Sequence, residues 1–291
     1  MFERRAYLLD VTRRVPTKRT WETLVDLLAC YRYNEFFLFA EKTFPGEELD
    51  RARLKAYCEM QGIDYRELTR MSYEELFIRA EYVIVSTEAD RSLAGRAEDL
   101  REEMIRVEAQ GRARKASGFL VTDFSDDCAW QPLSVSLPGI IIGGNFAASG
   151  PKSSMMDLEK ELDRVMEAPL GGLLLRLGTL YLRGGAPHAH VSEFFNILSH
   201  DVGYSRHPGL TQAVLDDVSG VARGVRIAAE RWLDRSDWAK EIVYAANLLD
   251  CACHRRNEAM LRELRDEHGR IWRSRFTPEG RVESMSRIPR F

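Results

Sequence analysis

Residues 35–40 read Glu-Phe-Phe-Leu-Phe-Ala, a nearly all-apolar run. Such a run suits a strand buried on both faces, as strands in a parallel sheet are. Similar short runs recur at 6–11 (AYLLDV), 81–87 (EYVIVST) and 118–124 (GFLVTDF). Helical spacing fills the intervals. Residues 20–31 place Trp21, Leu24, Val25, Leu27 and Leu28 on one face. Residues 50–61 form a helix that Gly62 closes, and 72–79 a helix that Ser72 opens with Glu75 in the capping-box position. Residues 97–110 carry the narrow stripe Leu100, Met104, Val107. Strands separated by helices predict βα units and a parallel sheet. Residues 138–144 are apolar but bounded by glycine, and read equally as a strand or as the start of a buried helix.

Around Ser149-Gly150-Pro151-Lys152 the texture changes. Helices are expected at 155–167, 170–183, 191–200, 211–234 and 237–267, the last two as an antiparallel pair turning near 234–237. The last two dozen residues, with Gly269, Pro278, Gly280 and Pro289, read as an irregular tail. The division is therefore a sheet domain at 1–150 and a helical domain at 151–291.

Composition narrows the function. With 42 Lys+Arg against 45 Asp+Glu the net charge is -3, which excludes a general nucleic-acid binder. No apolar run approaches the ~20 residues of a transmembrane helix, so no membrane partner is expected. The start, MFERRAYLLDV, is not a secretory signal. Five cysteines without a CxxC pair point to reduced, mostly buried thiols and a cytoplasmic protein.

In parallel α/β sheets ligands bind beyond the C-terminal strand ends. The polar residues there are Asp10, Thr12 and Arg13; Glu41, Lys42 and Thr43; Ser86, Thr87 and Glu88; and Asp123, Asp126 and Asp127 with Trp130 and Gln131. Recurrent carboxylates beside an aromatic suit sugar chemistry, where they supply acid, base or nucleophile and the ring stacks on a pyranose. There is no GxGxxG, Walker loop, GxSxG or HExxH. His188-x-His190 reads as a loop, Cys251-x-Cys253-His254 as helix core, and Arg112, Arg114 and Lys115 as a solvated helix end. No metal and no cofactor is implied.

Three stretches carry a resemblance. Residues 5–11 (RAYLLDV) lead through Val15-Pro16-Thr17 and a helix to 32–41 (RYNEFFLFAE); residues 92–96 (SLAGR) precede 118–133 (GFLVTDFSDDCAWQPL); and Ile271-Trp272-x-x-Arg275 lies near Gly280 and Ser284. Together they resemble glycoside hydrolase family 20 barrels, the β-N-acetylhexosaminidases, in an uncharacterised bacterial branch. The resemblance implies an α/β fold: an incomplete (β/α) TIM-barrel-like sheet of about four parallel strands, followed by an all-helical C-terminal region. By family order the four would be strands one, two, seven and eight, a contiguous half-barrel. The stretch that normally carries the family's Asp-Glu pair is nearly absent between residues 64 and 81.

The resemblance also implies carbohydrate as the ligand, N-acetylhexosamine-type sugars in particular. Arg5 matches the family's sugar-hydroxyl-binding arginine. Glu41, Asp123 and Asp126 are the carboxylates left for acid and base roles, and Asp10, Trp130 and Gln131 the residues left for substrate binding. Two function classes follow: a family 20-like glycosidase, or a non-catalytic sugar-binding or structural descendant. A helical interaction module at 155–267 is a third. The open sheet edges would be covered by the C-terminal helices or by a second copy completing the barrel as a homodimer.

Overall fold

The computed structural model describes residues 2–41, 49–79, 81–125, 128–150, 157–184, 191–200, 207–254 and 257–289. Five parallel strands form one sheet: β1 (Arg4–Asp10), β2 (Glu35–Ala40), β3 (Asp64–Thr69), β4 (Tyr82–Ser86) and β5 (Gly118–Asp123), in the order β3-β2-β1-β5-β4. The four strands read from sequence are present as neighbours in the order β2-β1-β5-β4. A fifth, β3, extends the sheet beyond β2, so the count of about four is corrected. β3 and β4 are edges and do not pair, which leaves an open sheet rather than a closed barrel.

β3 carries no apolar strand pattern, because Asp-Tyr-Arg-Glu-Leu-Thr has few apolar residues. Only Leu68 is buried, and Asp64, Arg66 and Glu67 lie exposed on an edge strand. Charges on an edge discourage pairing with another chain.

Helices cover the two faces unequally. α1 (Lys18–Cys30), α2 (Arg51–Met60), α4 (Ala97–Arg114) and α5 (Leu137–Ser149) share the larger core with Tyr7, Leu9, Phe36, Leu38, Phe119 and Val121. The other face buries Ala6, Leu8, Phe37, Phe39 and Leu120, and α3 (Arg70–Ile78) lies on it through Tyr73 and Leu76. α3 leads the chain from one edge strand to the other.

Local chemistry explains the helix ends. The Asp50 carboxylate caps α2 by accepting from the Arg53 amide at 3.0 Å, and Gly62 leaves the helix at φ +71°. The glycine-bounded 138–144 run is resolved as the helix α5, with Pro138 in its first turn. Its glycines allow close approach: a Cβ on Gly144 would lie 2.3 Å from the Tyr31 carbonyl oxygen. Gly144→Ala is expected to destabilise by about 1–3 kcal/mol. Gly220→Ala, on an exposed helical position with nothing near its Cβ site, should stabilise by about 0.5–1 kcal/mol. Urea midpoints of the two variants check both.

The helical half comprises α6 (Leu158–Met166), α7 (Gly171–Leu177), α8 (Glu193–Ser199), α9 (Gln212–Glu230), α10 (Asp237–Cys253), α11 (Glu258–Arg275) and α12 (Arg281–Arg287). α9 and α10 form the expected antiparallel pair. Two corrections follow. The expected helix 237–267 is two helices, with Asn257 capping α11 by accepting from the Ala259 and Met260 amides. The tail, as far as residue 289, is largely helical: α11 runs on through Gly269, and α12 follows the positive-φ Gly280. One apolar core runs through both halves, so contacts cross the boundary at residue 150. Among the described residues no single helix is long and apolar enough to cross a membrane.

Candidate functional site

Directly paired residues of parallel strands share a face. Leu9 pairs with Asp123 and Tyr7 with Val121, on the face under α1 and α5, whereas Asp10 pairs with Phe39 on the face under α3. At the C-terminal strand ends on the α3 side a cleft of about 740 Å³ opens. Asp10, Thr12 and Arg13 enter it from β1, Phe39 and Glu41 from β2, Arg70, Tyr73 and Glu74 from α3, Asp90 and Arg91 from beyond β4, and Phe124 and Ser125 from beyond β5.

Three rings pack in this cleft. Phe39, Tyr73 and Phe124 meet edge to face, with centroids 5.4–5.6 Å apart. Such a cluster is rigid and apolar, and the charged groups ring it. Burial pushes the Tyr73 phenol up to about 12, so it stays protonated.

Thr12 links the two cleft carboxylates that the sequence singled out. Its amide donates to Asp10 Oδ1 at 2.8 Å, and its hydroxyl accepts from the Glu41 amide at 3.0 Å. The other oxygen of Asp10 accepts from the Ser125 amide and hydroxyl, both at 3.3 Å. Burial pushes the Asp10 carboxyl above its ordinary range, against these hydrogen bonds and the charge of Arg14. Asp10 therefore braces the loops after β1 and β5 together. Glu41 faces Arg70 at 3.4 Å, and Arg70 also reaches Glu74 at 3.2 Å.

The other described sequence candidates do not join them. Asp123 lies on the opposite face, 1% exposed, accepting from the Tyr7 hydroxyl at 2.7 Å and from Thr87 at 3.4 Å. Arg5 stands at the N-terminal end of β1, where its guanidinium donates to the carbonyls of Phe2, Glu3 and Arg32. Its role as a sugar-hydroxyl ligand in the cleft is thereby corrected: the strand puts it at the other end of the sheet. Trp130 is buried against Phe195 with its indole N–H on the Ser284 carbonyl. Gln131 is buried, its backbone carbonyl accepting from Arg14 at 2.8 Å. Neither residue lines the cleft. Asp126, Asp127, Lys42, Thr43, His188 and His190 lie outside the described residues.

Tyr73, Phe39, Arg70 and Arg91 were missed as cleft residues. For Phe39 the signal was there: strand alternation puts it on the face of Asp10, not of Asp123. Among the described residues no group of three His, Cys, Asp or Glu side chains is arranged to hold a metal. Cys251 and Cys253 are buried core thiols, and burial pushes Cys253 up to about 12. Cys30 is exposed, unlike the other four. Compared with protein-family models the chain matches none, and among curated proteins it has no match, so the family 20 resemblance rests on the residues quoted above.

Proposed function

We propose that the chain is a carbohydrate-binding protein on a family 20-like scaffold. Its cleft takes an N-acetylhexosamine-type sugar without hydrolysing it. The observation that carries this reading is the aromatic cluster of Phe39, Tyr73 and Phe124 beside paired carboxylates and guanidiniums. Rings match the apolar face of a pyranose, and Glu41, Glu74, Arg13 and Arg70 offer acceptors and donors for its hydroxyls. The non-catalytic half of the reading rests on the carboxylates. Asp10 has both oxygens engaged, and Asp123 faces away from the cleft.

One observation favours hydrolysis instead: Asp10 is pushed toward its protonated form, as a general acid must be. Calorimetric titration with N-acetylglucosamine, its β-1,4 oligomers and N-acetylgalactosamine tests binding. Tyr73→Ala is expected to weaken it about tenfold. No heat with any of them at millimolar concentration sinks the sugar reading. A panel of fluorogenic glycosides tests turnover, and hydrolysis lost in Glu41→Gln would establish the glycosidase in its place.

A further inference from the structure

A second concavity, of about 350 Å³, lies between α9, α10 and α11 and shares no residue with the cleft. Its walls carry Arg226 from α9, Asn247 from α10, and Glu263, Asp266, Glu267 and Arg270 from α11, with Met260 and Leu264 supplying apolar surface. Asn247 breaks a run of buried residues in α10, in a helix interior that asparagine disfavours. Its amide nitrogen donates to Glu267 Oε2 at 2.8 Å, and its oxygen accepts weakly from Arg226 at 3.5 Å.

Two groups here are held at a disadvantage. Burial, with Glu263 nearby, pushes the Glu267 carboxyl above its ordinary range, against the Asn247 hydrogen bond and the charges of Arg270 and Arg226. Arg226 Nε is buried without a hydrogen bond and is held only by an ion pair with the Glu230 carboxylate at 3.6 Å, the side chain being 36% exposed. Apolar packing between three helices would avoid both penalties. A ligand that brings an anion to Arg226 and a cation to Glu267 removes them together.

We propose that this pocket binds a free α-amino acid as its zwitterion. The carboxylate of the ligand lies on Arg226 and Arg270. Its ammonium lies on Glu267, with Glu263 and Asp266 completing the acidic side. Asn247 bridges the two halves and fixes the spacing of the charges.

The test is calorimetric titration of the full chain with the L-amino acids, one at a time, with acetate and methylamine as half-ligands. One or more amino acids are expected to bind one to one. Affinity should fall at least about tenfold in Arg226→Gln and in Glu267→Gln, and stay unchanged in Glu41→Gln. Glu267→Gln is isosteric and removes a carboxyl that burial disfavours, so the variant is expected to melt no lower than the parent. Absence of binding by every amino acid at ~10 mM overturns the proposal. So does binding that survives both variants, or acetate or methylamine binding as tightly as the amino acid.

Discussion

Arg275→Met is expected to lower the unfolding free energy by about 3–5 kcal/mol. Its partner Glu241 is 0% exposed, and the Arg275 Nε–H donates to one carboxylate oxygen. The other oxygen accepts from the Ser134 amide at 2.6 Å. The guanidinium also lies 4.1 Å over the Trp238 ring. With methionine at 275 the carboxylate stays buried with a single donor, and the low-polarity surroundings make that charge expensive. The double variant Glu241→Gln with Arg275→Met should recover a large part of the loss, because the charge goes and the Ser134 contact can remain. Urea unfolding of the four proteins closes the cycle. A single-variant loss below about 1 kcal/mol would show that the pair is dispensable.

The second large effect is on acid stability. His268 is buried between the Tyr244 hydroxyl, 2.8 Å from Nδ1, and the Ser284 hydroxyl, 2.9 Å from Nε2. Burial, with the charge of Arg14, lowers its pKa to about 3. In the folded protein the ring therefore stays neutral at pH values where the unfolded chain, with an ordinary histidine, takes up a proton. Unfolding then binds a proton, and stability falls as the pH drops from about 6.5 toward 3. Over that window the loss attributable to His268 is roughly 3–5 kcal/mol. Urea unfolding from pH 7 to pH 4 should show a steeper decline in the parent than in His268→Gln. Carboxylates titrate alike in both proteins, so the difference in slope isolates the imidazole. Parallel slopes would mean that His268 protonates as readily in the fold as outside it.

What could be read from the residues alone follows burial. β2 is covered on both faces, so its sequence is a plain apolar run. β3 is an exposed edge, and Asp64, Arg66 and Glu67 hide the strand in ordinary surface chemistry. The α10–α11 break was missed because Cys251, Cys253 and Leu261 keep an apolar texture across it, and Asn257 is a cap by geometry rather than by a strong pattern. Gly269 suggested an end to α11, yet it packs beside the Met285 side chain, where a small residue fits within the helix. Placement at strand ends located the cleft through Asp10 and Glu41. The same reasoning mistook Asp123, because one step along a strand turns a side chain to the other face. The α3 wall had no counterpart in the strand-end argument. Tyr73 arrives from a helix that crosses the sheet, and no local spacing announces such a crossing.

The strand order also dictates when the protein can be completed as it is made. β1 pairs with β2 and β2 with β3, so these three can associate once residue 69 has emerged. β4 has only β5 as its neighbour, and β5 docks on β1 through pairs such as Arg5 with Phe119. Those pairings span more than a hundred residues of chain, which makes them the slow contacts to form. During synthesis the free side of β1, with Tyr7 and Leu9, must wait for β5, and that interval is when the nascent chain is most exposed to wrong partners.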